Sequence, residues 1–531
     1  MANKNLKAVV KRPGYASTPI TEKADKSQVK NNAGGYSFTL TKLERAKRFL
    51  ILGSDSSFYQ SGATRSKENA ESLIDLISDG GSKQLVDAIV EISTEGRAAK
   101  QDAGLFALAV ASSWGTDEET RYALSKLSAV ARTGTSLFVF LTYVEQFRGW
   151  GRQLSRAVGS WYTEKSADKL AYQMVKYRQR EGWTHRDVFR KAHPKSDDAT
   201  FQVLGEWVLR GSISNELPKV VHGYELAKDS TIKDLPALIS EYGLTWDMIP
   251  TEALNDKAVW EALLEGNVPL GALVRQLPRL TNLGIIARVG GSTQAIVKRL
   301  TDEEEIKRSR LHPLNILVAQ RTYESGKSLR GTTTWNAVPQ IVAALEKAFY
   351  KSFKYAEPAG KRTLVALDVS GSMAGSWNYS EVASPLKPVE VGAALSLVLL
   401  NTEPDTHVFG FSHNFVELGI QKGDSLKSAM GKAIKRNFGG TDASLAIEYA
   451  RTHNLEVDTF IVITDNDTWR GGHPHEVLQR YRRETAIDAK LVVMATESTP
   501  FTISDPNDGG MLDIAGFDSA VPQLITSFSK G

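Results

Sequence analysis

Apolar residues recur at helical spacing through most of the chain between about residues 36 and 355. This spacing puts apolar side chains on one face of a helix, so the region is predicted to be helical almost throughout. Glycine and serine separate the apolar stripes, as at Asp79–Ser82. The predicted helical stripes are Glu71–Ile77, Leu85–Ile92, Gly104–Ala111, Tyr122–Ala131, Ser136–Phe147, Leu170–Tyr177, Val203–Leu209, Leu235–Tyr242, Val259–Leu264, Ala295–Leu300 and Ile341–Phe349.

So many short amphipathic helices in succession favour a HEAT-like solenoid. Each helix pair of a solenoid buries its apolar face only against the neighbouring pairs. The stripes follow no regular period, so we expect irregular repeats.

Beyond residue 358 the pattern changes to short runs of β-branched and apolar residues. These predicted strands alternate with the helix-compatible stretches Glu390–Leu400, Lys427–Lys435 and Ala443–Thr452. Strands that alternate with helices predict a doubly wound parallel sheet, which binds ligands beyond the carboxyl ends of its strands. The predicted strands are Thr363–Leu367, His407–Phe411, Phe460–Thr464 and Lys490–Ala495.

The two patterns divide the chain into three parts. Residues 1–35 are basic and polar, with glycine and asparagine near their end, and are expected to form a flexible arm. Residues 36–358 form the helical module, and residues 359–531 form the α/β domain.

Oxygen-bearing side chains lie where the predicted strands of the α/β domain end. Asp368, Ser370 and Ser372 follow the first strand at alternate positions, Thr441 lies on a Gly-rich loop, and Asp465 follows the third strand. Carboxylate and hydroxyl oxygens without His or Cys suit a hard divalent cation, above all Mg²⁺, with Mn²⁺ or Ca²⁺ as alternatives. A local turn would explain an Asp-x-Ser-x-Ser sequence that stood alone. It does not explain why three separate segments place oxygen-bearing side chains at strand ends or on the loops between strands.

Composition narrows the class of protein. A chain of 531 residues is long enough for two or more domains with substantial cores. It has no cysteine, which excludes a disulfide framework and thiolate metal sites. Neither a signal peptide nor an apolar run of membrane-spanning length is present. We therefore expect a cytoplasmic protein with no membrane partner.

Charge is distributed unequally along the chain. Residues 361–531 contain 15 basic and 21 acidic residues, a net charge of −6, whereas the preceding residues carry +10. This asymmetry directs any polyanion toward the helical module. The window Arg148–Lys195 is the most basic, with 12 basic and 4 acidic residues and with interleaved aromatic side chains.

This window is predicted to bind nucleic acid, because cations attract phosphates and flat side chains stack on unpaired bases. The alternative is that Trp161, Tyr172 and Phe189 pack in helix cores while the cations form a solvated face. For each aromatic residue taken singly, a place in the core is the better interpretation. The candidate binding residues are Arg148, Arg152, Arg156, Lys176, Arg178, Arg180, His185, Arg186 and Lys191.

His185 stands at a predicted helix start, with Thr184 as its candidate N-cap. The free N–H groups of a helix start favour a phosphate, and an imidazole can hydrogen-bond or stack on a base. Local packing of His185 is the alternative, and it is the better interpretation of the residue without its surrounding motif.

Several segments resemble the Ro autoantigen family, RNA-binding proteins in which a TROVE module precedes a von Willebrand factor A domain. The strand-end residues Asp368 to Asp465 likewise resemble the metal-ion-dependent adhesion site of A domains. The absence of cysteine and the compact length resemble a bacterial member. The matching segments include Arg148–Arg152, Arg156–Val158, Trp161–Tyr162, Lys176–Tyr177, Gly182–Asp187, Ala192–Lys195, Ile249–Glu252, Val259–Trp260, Leu311–Leu314 and Thr322–Tyr323.

This resemblance implies a monomeric ring of helical repeats that the A domain closes. It further implies that the basic outer surface binds a small noncoding RNA of the Y type. The central cavity would take the single-stranded 3′ end of a misfolded or precursor RNA, in RNA quality control, processing and stress survival. An exoribonuclease would be tethered through the RNA. By position, Lys176, Arg180 and His185 match RNA-contacting residues of the family.

Three functions remain open at this point. The first is the RNA-binding scaffold, the second a metal-dependent protein-adhesion scaffold, and the third a metal-assisted phosphoesterase that uses Asp368 and Asp465. The sequence has no nucleophile elbow, phosphate loop or paired acid–base motif, so we expect a protein that is not an enzyme.

Overall fold

The chain folds into a helical domain followed by an α/β domain. The structure, a computed structural model, describes residues 17–53, 62–266, 268–329, 332–353, 357–374, 386–434 and 439–531. Residues 1–16 of the expected arm and Lys435 of a predicted helix lie outside these ranges. Among the described residues, no helix has both the length and the apolar character needed to cross a membrane.

The helical domain extends to residue 353 and confirms the predicted helical region. The predicted helix Tyr122–Ala131 is the exception, because it breaks at Lys126 into two helices. The helices are α1 (Lys42–Leu52), α2 (Gly62–Leu76), α3 (Ser82–Glu95), α4 (Asp102–Trp114), α5 (Asp117–Ser125), α6 (Leu127–Val130), α7 (Gly134–Phe147), α8 (Arg152–Thr163), α9 (Ala167–Lys176), α10 (His185–Ala192), α11 (Ala199–Arg210), α12 (Lys219–Asp229), α13 (Leu235–Tyr242), α14 (Lys257–Glu265), α15 (Leu270–Asn282), α16 (Gly291–Leu300), α17 (Glu303–Ser309), α18 (Pro313–Ser325) and α19 (Pro339–Lys351).

The α/β domain confirms the predicted alternation of strands and helices. Its helices are α20 (Gly371–Ala374), α21 (Pro388–Thr402), α22 (Leu426–Ile434), α23 (Leu445–Thr452), α24 (Pro474–Thr485) and α25 (Val521–Lys530). The strands of the chain are β1 (Gln28–Lys30), β2 (Tyr36–Thr39), β3 (Gln179–Arg180), β4 (Trp183–Thr184), β5 (Thr363–Asp368), β6 (Thr406–Phe411), β7 (Phe415–Glu417), β8 (Thr459–Thr464), β9 (Lys490–Ala495), β10 (Phe501–Thr502) and β11 (Met511–Ala515).

Six strands form the main sheet in the order β11-β9-β8-β5-β6-β7. All neighbours are parallel except β6 and β7, as expected for a doubly wound sheet with a short antiparallel edge. Successive side chains of a strand point to opposite faces. Val365 and Leu367 therefore join the core that continues into the helical domain, whereas Leu364 and Ala366 join a second core on the other face.

The helical domain closes on itself. Arg310 Nη1, just after α17, donates to the carbonyl of Thr94 at the end of α3, with an N–O distance of 3.2 Å. His312 Nε2 donates to the carbonyl of Arg97 at 3.3 Å. Arg97 Nε in turn donates to Asp518 Oδ2 of the α/β domain at 3.1 Å. Early helices, late helices and the α/β domain thus meet at one seam, as the expected ring requires.

Residues 17–35 correct the expected flexible arm, because they pack on the α/β domain. β1 pairs with β2, and β2 pairs with β10 across more than 450 residues of sequence. Asn31 Nδ2 donates to the carbonyl of Thr468 at 2.7 Å, and Thr18 N donates to Glu476 Oε2 at 2.6 Å. Polar side chains that look like those of a solvated arm are here used as hydrogen-bond partners of the domain.

A buried arginine joins the first helix to the α/β domain. Arg48 of α1 is only 2% exposed, and its guanidinium donates to Thr499 Oγ1 at 2.9 Å and to the carbonyl of Phe501 at 2.8 Å. The same group forms an ion pair with Asp513. Such a charge is tolerated in the interior because it is paired and hydrogen-bonded.

Candidate nucleic-acid interface and metal site

Most of the predicted RNA-binding residues reach the surface of the helical domain. Lys176 is half-buried and His185 is buried, whereas the other residues are solvent-exposed. The exposed residues of the set are Arg148, Arg152, Arg156, Arg178, Arg180, Arg186 and Lys191.

One of these cations, Lys191, lies beside a pair of tryptophans and also pairs with Glu145. The ring centroids of Trp150 and Trp183 lie 5.9 Å apart, and Lys191 Nζ lies 5.3 Å from each centroid. Arg152 and Arg156 stand four residues apart on α8, so their side chains share one face of that helix. The start of α8, β4 and the end of α10 therefore contribute to one basic surface.

A second group of the predicted residues is occupied by protein contacts. Lys176 Nζ lies 3.0 Å from the Tyr172 hydroxyl and 3.6 Å from Asp247 Oδ2. Arg178 Nη1 donates to the Tyr224 hydroxyl at 2.5 Å and thereby connects the end of α9 to α12. These two cations are partly used in holding helices together, so they are less available to a ligand than Arg152 or Arg186.

His185 is a core residue of the structure, contrary to the prediction that it contacts RNA directly. It is 4% exposed, its Nδ1 atom lies 2.8 Å from the Tyr162 hydroxyl, and its ring packs against Phe138. Burial lowers the pKa of His185 to about 4, so the ring is neutral at pH 7. His185 therefore packs locally, as the alternative interpretation of the sequence had it.

A sequence signal for this burial exists. Positions 185, 188, 189 and 192 lie on one face of a helix, and all four side chains are buried. His185 thus continues the apolar face of α10, which carries it into the core together with Val188 and Phe189.

The predicted N-cap of α10 is confirmed. Thr184 Oγ1 accepts from Asp187 N at 3.3 Å, and Asp187 Oδ2 accepts from Thr184 N at 3.0 Å, which completes a capping box. The Asp187 carboxylate therefore lies at the helix start. A phosphate placed there would meet this negative charge, so the expected phosphate position at this helix end is unfavourable.

The aromatic residues of the basic window divide between core and surface. Trp161, Trp183 and Phe189 are buried, as the core alternative predicted for Trp161 and Phe189, whereas Trp150 and Tyr172 are half-buried. Only the half-buried rings have faces near solvent for stacking on a base.

The predicted metal ligands of the α/β domain are all buried, and the structure brings Asp368, Ser370, Ser372 and Asp465 together. Asp368 Oδ1 accepts from Ser370 N at 2.9 Å, and the hydroxyls of Ser370 and Ser372 lie 2.9 Å apart. Asp465 follows β8, the strand beside β5, and its charge acts on that of Asp368. The carbonyl of Thr441 accepts from Thr468 Oγ1 at 3.0 Å, which places Thr441 on the adjoining segment.

The electrostatics of this cluster fit a cation. Burial raises the pKa of Asp465 well above its usual range, and the neighbouring charge of Asp368 raises it further. Burial likewise raises the pKa of Asp368 to about 6. Asp465 Oδ2 is buried and has no hydrogen-bond partner among the described residues. A buried carboxylate oxygen without a partner is costly, and a divalent cation would supply the missing partner to this oxygen-only donor set.

One further acidic residue was missed in the sequence. Asp467, two positions after Asp465, is buried, and burial raises its pKa to about 7. Its carboxylate accepts from Asn32 N at 2.7 Å and from Asn32 Nδ2 at 3.1 Å. The alternating acids of Asp465-Asn466-Asp467 were the available signal. In the described ranges, this cluster included, no group of three or more His, Asp or Glu side chains is arranged to hold a metal ion, so the hydroxyls of the serines and threonine are needed to complete the donor set.

The fold and these sites define a protein class in which helical repeats close into a ring at an α/β domain of the von Willebrand factor A type. The TROVE domain family matches residues 29–215 and 240–322, and the Ro60 vWA domain family matches residues 362–529. The chain therefore belongs to the Ro family, as the sequence motifs predicted.

Individual relatives agree with this assignment. The chain is 37% identical to the RNA-binding protein RO60 of Deinococcus radiodurans, over 99% of this chain and 100% of that protein. It is 35% identical to the RNA-binding protein RO60 of Caenorhabditis elegans, over 96% of this chain and 91% of the relative. The crystal structure of the Deinococcus radiodurans RO (RSR) protein superposes with a TM-score of 0.70 at 36% identity, over 92% of this chain and all of the other. The full-length Deinococcus match supports the predicted likeness to a bacterial member.

Proposed function

We propose that this protein binds RNA through the basic surface around Trp150 and Trp183. The observation that carries the proposal is the set of exposed cations on α8, the β3–β4 hairpin and α10, next to half-buried aromatic rings. Cations of this kind supply phosphate contacts, which position a nucleic acid without reading its sequence. The relatives named RNA-binding protein RO60 support the same function.

The finer proposal concerns the kind of RNA. A small structured RNA of the Y type would bind this outer surface, because a spread of phosphate contacts suits the backbone of a folded RNA. The single-stranded 3′ end of a misfolded or precursor RNA would enter the ring. An exoribonuclease tethered through the RNA would then act on such ends, in RNA quality control and stress survival.

The cluster of Asp368, Ser370, Ser372, Thr441 and Asp465 is the proposed site of a divalent cation, with Mg²⁺ first. These residues would hold the ion, which when bound offers a Lewis-acidic position to a carboxylate of a partner. The buried Asp465 Oδ2 without a protein partner supports this assignment. All five residues are buried. The bound ion would therefore hold together the loops that follow β5 and β8 before it contacts any partner.

The test compares a hairpin RNA that has a single-stranded 3′ tail with the same hairpin blunt-ended, each titrated over a range of salt concentrations. The triple variant Arg152→Ala/Arg156→Ala/Arg186→Ala removes three exposed cations of the basic surface. The matched control is Arg210→Ala/Lys257→Ala/Lys307→Ala, which removes three exposed cations from α11, α14 and α17, each of which already pairs with a glutamate of its own helix.

We expect the first variant to weaken binding of both RNAs. A plot of the logarithm of the binding constant against the logarithm of the salt concentration should become shallower, by about one unit of slope for each phosphate that the altered side chains no longer neutralise. The control should bind like the unaltered protein. Failure of the unaltered protein to bind either RNA at moderate salt would overturn the proposed function.

A further inference from the structure

A second cationic site lies outside the basic surface. A cleft of about 380 Å³ is present between the loop before α7 and the start of α9. A volume near the lower end of small-molecule sites admits a single nucleotide, not a duplex. The cleft is lined by Arg132, Lys165, Asp168, Lys169, Tyr172 and Gln173.

The three cations of this cleft have neutral partners or none. Arg132 Nη1 donates to the Ser93 hydroxyl at 2.9 Å and to the carbonyl of Ala129 at 3.0 Å. Lys165 Nζ donates to the carbonyl of Trp161 at 2.6 Å, and Lys169 is exposed. In the described part of the chain, no carboxylate forms an ion pair with any of these three cations, and Asp168 is the one acid of the lining.

A fourth cation approaches from the far side of the seam. Arg310 donates to the carbonyl of Thr94, the residue that follows the Ser93 partner of Arg132. Burial, and then the charge of Arg310, lower the pKa of the Arg132 guanidinium, so the two like charges act on each other. Contacts to the last turn of α3 hold each arginine in place, and in the described part of the chain neither arginine forms an ion pair with a carboxylate.

The Lys165 ammonium group has neutral partners and no ion pair in the described structure. Its Nζ atom lies 3.4 Å from the centroid of the Trp161 ring, and burial lowers its pKa to about 8. The charge of the neighbouring Glu164 acts on Lys165, but Glu164 Oε2 accepts from the Ser128 hydroxyl at 2.7 Å, and in the described structure the two side chains form no ion pair. An anion in the cleft would stabilise the charged form of Lys165.

We propose that this cleft binds backbone phosphates of a single-stranded RNA segment, with the cations on the phosphates and Tyr172 beside a base. The inference rests on the proposed RNA-binding function and gives single-stranded RNA a site separate from the surface around Trp150. Electrostatic attraction of unpaired cations and stacking on an aromatic ring are the usual means of binding single strands without regard to sequence.

The test measures fluorescence anisotropy of a labelled oligouridylate of about ten nucleotides and of a blunt-ended hairpin. Lys169→Glu reverses one charge of the cleft at an exposed residue without a hydrogen bond or ion pair in the described structure. Lys169→Arg keeps that charge. Lys257→Glu, on an exposed turn of α14, is the charge-matched control.

Lys169→Glu should raise the Kd for the oligouridylate at least tenfold, whereas its Kd for the hairpin should stay within about twofold. Lys169→Arg and Lys257→Glu should bind both RNAs like the unaltered protein. Unchanged oligouridylate binding by Lys169→Glu would overturn the inference and leave the proposed function standing. No binding of either RNA by the unaltered protein would instead overturn the proposed function.

Discussion

The Tyr162 hydroxyl and the Nδ1 atom of His185 lie 2.8 Å apart in the interior of the helical domain. Tyr162 belongs to α8 and His185 begins α10, so this hydrogen bond fixes the relative position of the two helices that carry much of the basic surface. The effect of His185 on RNA binding would therefore be indirect. It would hold Arg152, Arg156 and Arg186 in register instead of touching the ligand.

Acid should destabilise the protein through this histidine. The pKa of His185 in the folded state is about 4, below its ordinary value of 6.5. The unfolded chain therefore takes up a proton first, and stability is lost as the pH falls from about 6.5 to about 4. The loss amounts to about 3 kcal/mol at most for this group. Urea denaturation at several pH values should show a smaller acid-induced loss in His185→Gln than in the unaltered protein. Equal acid-induced losses of stability in His185→Gln and the unaltered protein would contradict this account.

Divalent cations should stabilise the α/β domain. Mg²⁺ at about one hundred times its Kd would add about 2.7 kcal/mol of unfolding free energy, seen as a rise in Tm. Asp465→Asn should abolish this rise because it removes a charged ligand. Asp488→Asn, at a side chain that is 97% exposed, is the control and should retain the rise. The metal assignment fails if Mg²⁺ raises the Tm of Asp465→Asn as much as that of the control.

Removal of the Arg48 guanidinium should be costly. Arg48→Ala leaves the Asp513 carboxylate without its charged partner and removes one of the hydrogen bonds to the carbonyl of Phe501, so we expect a loss of about 3–5 kcal/mol. Lys42, on the same helix as Arg48, forms an ion pair with Asp79 in which both side chains are exposed. Lys42→Ala should therefore cost no more than about 1 kcal/mol. Chemical denaturation would compare the two variants, and equal losses would refute the importance of the buried pair.

A methyl group at Gly35 should disturb the packing of the N-terminal segment. A Cβ atom there would lie 2.0 Å from the carbonyl oxygen of Thr468. The backbone must shift, and overpacking of this kind costs about 1–3 kcal/mol. Gly35→Ala should therefore lower the Tm and, because Asn32 bonds Asp467 nearby, weaken Mg²⁺ binding. Lys30→Ala, at an exposed position of β1, serves as the control. A Tm for Gly35→Ala equal to that of the control would show that the segment is not tightly held.

Local sequence was sufficient for the main sheet and its oxygen cluster. Strands β5, β6, β8 and β9 were predicted to within one residue at each end, because buried parallel strands are continuous apolar runs. The positions of Asp368 and Asp465 at strand ends followed directly from them. The break at Lys126 and the burial of His185 were misjudged, since a helical stripe does not reveal what packs against it.

Long-range pairings could not be predicted from local pattern. β2 finds its partner β10 across most of the chain, and nothing in Tyr36–Thr39 indicates that partner. The cleft at Lys169 is equally hidden, because Arg310 reaches the last turn of α3, which Arg132 also contacts, only when the helical domain closes. Such features depend on the whole topology and not on the spacing of residues along one element.

The pairing of β2 with β10 also sets an order of events during synthesis. A ribosome adds about 5–20 residues per second, so β2 is made tens of seconds before Phe501 emerges. β1 can pair with β2 at once, but β2 lacks its second partner until β10 has left the ribosome. The α/β domain therefore reaches its final form only after β10 has been made, and a chain cut before Phe501 would leave the N-terminal strands without that partner.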